Sequence, residues 1–310
     1  MNESGRIAML ARILAARAPG LETGIGDDAA VLATRAAGAR LVWTIDEQVE
    51  GSHFRRDLAS WHDLGWRSLM AAASDIAAMG AIPWCALAAM VLPDDADDAA
   101  LEQIAFGQRD AGAVIDAPVV GGNLAHGATL SISTTVLGTC ERAITRSGAV
   151  PGDRLWLAGD VGLAAAGFRA LIEGRGDDER LWRAVAAWRK PRALIAAGRA
   201  MAAVAHAAVD VSDGLARDAG HIAEASGVEV VLDEAALGSD PVLVGAAAAL
   251  GASWLELALS GGEDYAIVAT SPTEIAGFRC IGAIRPGHGL TLHGPAGERR
   301  IEPSGFDHFA

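Results

Sequence analysis

Lysine is almost missing from this chain. Lys190 is the only one in 310 residues, and Pro191 follows it. A Walker A loop needs its lysine between glycine and Ser/Thr, and a protein kinase needs a strand lysine paired with a helix glutamate, so neither phosphate-handling design fits. Cysteine is scarce too. Cys85, Cys140 and Cys280 are odd in number and form no CxxC or Cys/His spacing. That argues against a disulfide framework or a structural zinc site and favours a reducing, cytoplasmic setting. Excess positive charge is also lacking: at a formal net charge of -14 no basic patch exists to neutralise nucleic-acid phosphates. No uninterrupted apolar run reaches the length of a membrane span. The nearest stretch, residues 69–92, contains Asp75, Gly80 and Pro83 and runs into Asp94 and Asp95. It is expected to be a buried helix, a turn and a buried strand. Residues 1–20 have Ile7, Leu10, Ile13 and Leu14 at helical spacing with arginines between, which reads as a helix of the mature protein. No Ser/His/Asp or Cys/His nucleophile arrangement stands out.

What remains is a globular composition, 51% hydrophobic and 21% charged, long enough for two domains. Strand-like and helical segments alternate throughout, which indicates an α/β or α+β architecture in both halves. The first half is expected to hold a strand over residues 39–45 that delivers Asp46 at its end. A helix over 62–79, a strand over 83–92, a helix over 97–113 and a strand over 130–137 follow. Gly121-Gly122-Asn123 reads as a turn between elements. The turn-rich stretch Arg146-Ser147-Gly148-Ala149-Val150-Pro151-Gly152-Asp153 marks a boundary, giving domains of 1–145 and 146–310. Beyond it come a strand over 154–158, a helix over 163–172, a helical region over 192–208 and a short strand over 209–211. Ser212 is placed to cap a helix running to residue 226. Strands over 228–232 and 265–270 complete the pattern.

Carboxylates collect at the ends of these elements: Asp27 and Asp28 in Gly24-Ile25-Gly26-Asp27-Asp28, then Asp46, Asp75, Asp210 and Asp213, and Glu263-Asp264. The first motif formally matches a dinucleotide fingerprint, but its carboxylates lie where a pyrophosphate needs donors. Asp75 shares an apolar helix face with Ala71, Ala72 and Met79. It reads equally as a buried Asp bonded to backbone amides or as a metal ligand. Asp210-Val211-Ser212-Asp213-Gly214 fails the EF-hand spacing yet suits a metal at a strand end. A surplus of carboxylates at element ends is what a magnesium–polyphosphate site requires. His53 by itself reads as a surface histidine. Ser260-Gly261-Gly262-Glu263-Asp264 reads either as a plain turn or as a backbone against which a ligand lies.

In their order these motifs resemble the thiamine-monophosphate kinase family. The likeness runs through Gly24-Ile25-Gly26-Asp27-Asp28, Asp46 with Val49-Glu50-Gly51-Ser52-His53-Phe54, and Ser74-Asp75-Ile76-Ala77-Ala78-Met79-Gly80-Ala81. It continues in Thr145-Arg146-Ser147-Gly148, Asp210-Val211-Ser212-Asp213-Gly214-Leu215, Ser260-Gly261-Gly262-Glu263-Asp264-Tyr265 and Gly305-Phe306-Asp307-His308-Phe309. The resemblance implies ATP-dependent phosphorylation of thiamine monophosphate to thiamine diphosphate, by direct in-line transfer with several magnesium ions. It implies the fold of aminoimidazole-ribonucleotide synthetase, with an N-terminal domain that forms a homodimer and a C-terminal domain that closes the site. By the same resemblance Asp28, Thr44, Asp46, Asp75, Asn123, Asp210 and Asp213 hold magnesium. Gly122, Asn123, Arg146 and Ser212 contact ATP, and His53, Glu263 and Phe306 contact thiamine monophosphate. No dedicated catalytic base is implied.

Three departures stand out. Gly121-Gly122-Asn123-Leu124 replaces the usual Gly-Gly-Asp-Thr, so one magnesium ligand loses its charge. Phe306 keeps a stacking face without a polar handle. Glu47-Gln48 replaces a small or apolar pair. Two other readings stay open: a synthetase activating a carboxamide or formyl oxygen, and a thiamine-phosphate-binding protein whose Asn123 disables a metal site.

Overall fold

The structure, a computed structural model, describes residues 21–23, 27, 30–33 and 38–306. The helix expected over residues 1–20, and Asp28 with it, lie outside these. Two sheets divide the described chain. The first contains β1 (Leu21–Thr23), β2 (Ala30–Ala33), β3 (Arg40–Val49), β4 (Ile82–Leu92), β5 (Val119–His126) and β6 (Ser131–Cys140), in the order β1-β2-β3-β6-β4-β5. Its pairings are antiparallel except β4–β5. The second contains β7 (Arg154–Ala158), β8 (Ala207–Val211), β9 (Glu229–Asp233), β10 (Ala266–Ser271), β11 (Arg279–Arg285), β12 (Gly289–Gly294) and β13 (Gly297–Ile301), in the order β13-β12-β9-β11-β7-β10-β8. Here β9–β12 is the parallel pair. Segregated helices on mostly antiparallel sheets make this a two-sheet α+β fold, as expected.

Helix α1 (Trp61–Ala78) lies between the sheets. Ser60 and Asp63 close a capping box at its start, which satisfies two of the amide groups a helix end leaves orphaned. Leu69, Met70, Ala73 and Ile76 pack with Val42, Ala86 and Val136 of the first sheet, together with Ala111 and Ile115 of α2 (Asp98–Ile115). Ala77, on the other side of α1, joins Trp156, Ala208, Ile267 and Ala269 of the second sheet. On the far face of that sheet, α6 (Leu215–Ser226) contributes Leu215, Ala219 and Ile222 to a second core. The remaining helices are α3 (Leu163–Ile172), α4 (Trp182–Arg189), α5 (Ile195–Met201), α7 (Glu234–Leu237), α8 (Pro241–Leu250) and α9 (Trp254–Ser260). Leu163, Ala166, Val185 and Trp188 of α3 and α4 pack against Phe54, Leu64 and Ile104, so the two halves also share a core.

Several expectations need correction. β3 extends to Val49, so Asp46 sits inside the strand, opposite Thr134, and not at its end. Gly121, Gly122 and Asn123 form no turn; they are part of β5. A Cβ on Gly122 would lie 1.8 Å from the Ala88 carbonyl oxygen, so the close approach of β4 and β5 is what demands glycine there. The helical region over 192–208 is only the short α5, followed by β8. Residue 214, not Ser212, occupies the start of α6, with no side-chain cap. The strand over 83–92 is not wholly buried: Ile82, Trp84 and Leu87 are exposed.

Candidate active site between the two sheets

A cavity of about 820 Å³ opens where α1 meets the end of β8 and the Ser260–Tyr265 loop. Four of the singled-out aspartates line it: Asp46 from β3, Asp75 from α1, and Asp210 and Asp213 from the end of β8 and the loop after it. His53, Arg146, Ser212, Glu263 and Phe306 line it as well, together with Asp27. Residues separated by most of the chain length are thus gathered round one space.

Asp46, Asp75 and Asp210 are each held by a group that does not itself line the cavity. Thr44 Oγ1 donates a short hydrogen bond to Asp75 Oδ2. Thr44 therefore supports Asp75 from β3, and it does not itself line the cavity. Ser74, the neighbour of Asp75 on α1, donates to Asp210 Oδ2 at 2.7 Å, joining a first-half helix to a second-half strand. Asp46 Oδ1 accepts from the Glu47 amide at 2.8 Å. Its carboxyl is held above the ordinary range by burial first and by the nearby Glu263 second, while His53 pulls the other way. A crowded, desolvated carboxylate of this kind is stabilised by an incoming cation.

The loop from Ser212 to Gly214 owes its shape to a residue the sequence reading passed over. Asp218 Oδ2, one turn into α6, accepts from the amides of Ser212, Asp213 and Gly214, each at 3.1 Å. Three donors converging on one oxygen fix the loop and turn Ser212 and Asp213 to the cavity. The i, i+5 spacing of Asp213 and Asp218 at a helix start was the available signal. The Asp213 carbonyl accepts from the Phe306 amide at 3.0 Å, and Arg217 donates to the Phe306 carbonyl, so the C-terminal stretch is tied to the same loop.

Glu263 and Tyr265 have φ of +67° and +53°, a region L-residues seldom occupy. The Glu263 amide donates to the Ser212 carbonyl at 2.7 Å and that of Tyr265 to Val211 at 2.8 Å, strapping this turn to the end of β8. Gly262 permits the approach, since a Cβ there would stand 2.6 Å from the Ser212 carbonyl oxygen. Asp264 turns away to accept from the amides of Gly162 and Ala164 at the start of α3. Burial nevertheless pushes its carboxyl up to about 8, outweighing those donors.

Basic side chains share the cavity with the acids, and Arg217 Nε lies 3.5 Å from Asp213 Oδ2. Arg146 and Arg217 line the cavity beside His221, whose imidazole is pushed down to about 4 by burial and by both guanidinium groups. The Arg146 amide donates to Asp27 Oδ2 at 3.1 Å, so Asp27 is held at the junction between halves. The Val49 amide donates to His53 Nδ1 at 3.0 Å, so in the neutral ring the proton sits on Nε2.

Gly122 and Asn123 do not join this group. They lie on β5, the outermost strand, three strand spacings from β3, or roughly 14 Å across the sheet. Among the described residues, no set of three His, Cys, Asp or Glu side chains is close enough to hold a metal by itself. The donors nevertheless suit magnesium, which usually takes one or two carboxylates and completes its octahedron with phosphate oxygens and water. Asp46, Asp75, Asp210 and Asp213, spread round one cavity, offer that kind of partial coordination.

Both halves of the chain match the family models of AIR synthase related proteins. Their N-terminal domain matches residues 26–140 and their C-terminal domain residues 150–277. The thiamine-monophosphate kinase of Mycobacterium tuberculosis (strain ATCC 25618 / H37Rv) is 36% identical over 299 residues, covering 94% of this chain and 88% of the relative. That of Aquifex aeolicus (strain VF5) is 30% identical over 314 residues, covering 100% and 98%. The chain belongs to the thiamine-monophosphate kinase family, which is a family of phosphotransferases. Among solved structures, AaThiL complexed with AMPPCP and TMP superposes with a TM-score of 0.91 at 30% identity, covering 99% of this chain and 97% of that one.

Proposed function

We propose that this chain transfers the γ-phosphate of ATP directly to thiamine monophosphate, giving thiamine diphosphate and ADP. The observation that carries this reading is the cavity lined together by four aspartates from both halves and by Arg146 and Arg217. The names of the full-length relatives, and the nucleotide analogue and TMP held by AaThiL, point the same way.

The chemical task matches the residues. The acceptor is itself an ionised phosphate, so no strong base is needed. The difficulty is to bring two polyanions together: two unit charges ~4 Å apart repel by roughly 4 kcal/mol at an effective dielectric of 20. Magnesium held by Asp28, Asp46, Asp75, Asp210 and Asp213 would supply charge neutralisation and alignment of the attacking oxygen with the γ-phosphorus. Arg146, with Arg217 nearby, balances the triphosphate, and Ser212, on the loop that Asp218 holds in shape, contacts ATP through its side chain. His53 presents its Nε2 proton to the acceptor phosphate, while Glu263 and Phe306 hold the heterocyclic end. The sequential in-line route leaves no phosphorylated protein.

The first sheet suggests the oligomeric state. Ile45 of β3 and Leu87 of β4 both align with Thr135 of β6, so they lie in one row on one face, and Trp43 and Trp84 stand exposed beside that row. A contiguous bare apolar sheet face marks an interaction surface. We assign it to a second copy of the chain, because Ile45 belongs both to this face and to the rim of the cavity. In such a homodimer β5 lies near the seam, which gives Gly122 and Asn123 a route to nucleotide and metal that their own chain denies them. Residues 1–145 then form the metal-binding and dimerising domain and 146–310 the domain that closes the site. Three free cysteines suit a cytoplasmic location.

One assay tests the proposal. Purified protein with Mg-ATP and thiamine monophosphate should yield equal amounts of thiamine diphosphate and ADP. Tight binding of both substrates without turnover, or formation of a phosphorylated protein, would overturn it.

A further inference from the structure

Arg67 is the largest charged side chain buried among the described residues, at 1% exposure, and the sequence motifs gave it no part. It lies on α1 two turns before Asp75. One guanidinium nitrogen donates to the Trp188 carbonyl and another to Glu263 Oε2, both in short hydrogen bonds. The guanidinium carbon sits 4.7 Å from the centroid of the Trp188 ring. Nε is buried and has no hydrogen-bond partner among the described residues. Trp188 in turn packs against Phe168, with ring centroids 5.3 Å apart, and both rings line the cavity beside Glu263.

A buried cation is costly unless it is paired, and here the pairing is with one carboxylate, one carbonyl and one ring. Each of those partners belongs to the second half of the chain, whereas Arg67 belongs to the first. The Glu263 carboxylate is located by two anchors: the residue's amide on Ser212 and its Oε2 on Arg67. Oε1 is left for a ligand. The acceptor in the reaction proposed above has a phosphate at one end and a positively charged heteroaromatic ring system at the other. A carboxylate beside an aromatic ring is the receptor such a cation requires, and here the half-buried Phe168 is the accessible ring, tilted 31° against the buried Trp188 that backs it.

We propose that Arg67 is a positioning residue for the acceptor, holding Glu263 and the Trp188-backed Phe168 ring together as a carboxylate-and-ring receptor for its cationic heterocycle. This rests on the reading of the cavity as a thiamine-monophosphate site. Arg67 registers a receptor built from the second half against the carboxylates of α1 and β3 that face the phosphates. Lysine would keep the charge but lose the fork that serves Trp188 and Glu263 at once.

The experiment begins with turnover of thiamine monophosphate by the unaltered protein; failure at that step defeats the assigned reaction and leaves Arg67 out of account. Given turnover, Arg67→Met is expected to raise KM for thiamine monophosphate at least tenfold, with KM for ATP unchanged and kcat within about threefold. Arg67→Lys should recover part of the loss. In a double-mutant cycle, Arg67→Met combined with Glu263→Gln should lose little more than the worse single variant. Unchanged acceptor KM in folded Arg67→Met, a parallel rise in both KM values, or fully additive losses would each overturn the proposal. Should Arg67→Met not fold, the same cycle run with Arg67→Lys decides by the same criteria.

Discussion

The two sheets are built to different standards of enclosure. In the second, β8 and β10 are buried at every residue, with α6 over one face and α1 and α5 over the other. In the first, the strands alternate: Val42 and Thr44 point into the core while Trp43 and Ile45 point out, and Trp84 is 60% exposed. A strand buried on both faces reads as a continuous apolar run, and a strand with one open face alternates. The difference teaches that β8 and β10 are covered on both faces within the chain, whereas β3 and β4 leave one face bare. The cavity is lined from both kinds of strand, by Asp210 of β8 and by Ile45 and Asp46 of β3.

The sharpest blow to that picture would fall on the seam. Asp210→Asn keeps the shape and the Ser74 contact but removes a carboxylate from the cavity; turnover should fall by roughly a thousandfold or more, about 4 kcal/mol of barrier, with little change in unfolding midpoint. A variant with near-normal turnover would remove Asp210 from the site. In the enclosed sheet, Ile267→Ala empties a fully buried position and should cost about 3 kcal/mol in denaturant unfolding. A loss below about 1 kcal/mol would show that sheet to be looser than its burial implies.

His221 offers a comparison through pH. Its pKa is about 4 in the folded chain, below its ordinary value of 6.5, so between these values the unfolded state binds more protons. Stability is therefore full above pH 6.5 and is lost as pH falls toward 4, by at most about 3 kcal/mol. Replacing it by His221→Gln should flatten the unfolding free energy across that window, and an unchanged slope would place the titration elsewhere. The smallest expected effect on the single chain is at the open face. Trp84→Ser should shift protomer stability by no more than about 0.5 kcal/mol while dissociating the dimer in sedimentation equilibrium. A monomeric unaltered protein would contradict the assignment of that face.

Much of this arrangement was legible because punctuation and pattern agreed. Arg154–Ala158 and Leu163–Ile172 fall where the apolar runs and the glycines between them predict. The gathering of Asp46, Asp75, Asp210 and Glu263 was legible only through motif order, since no local period says which strand ends meet. Gly121-Gly122-Asn123 misled because paired glycines usually signal a turn, whereas here they relieve crowding between parallel strands. Helix α4 escaped notice because its eight residues carry too short a period. Asp218 left only its spacing from Asp213 at a helix start as a signal, and Arg67 left none, because its partner is a carboxylate 196 residues away.

The bonds from Ser74 to Asp210, from the Arg146 amide to Asp27, and from Arg67 to Glu263 all cross between the halves of the chain. A ligand seated among them touches both halves and can be held only while they are joined. Occupancy and cooperative unfolding are then linked by mass action: ligand at a hundred times its dissociation constant would add about 2.7 kcal/mol to the folded state. The melting temperature becomes a gauge of binding, and the halves should melt more nearly as one unit when the cavity is filled than when it is empty.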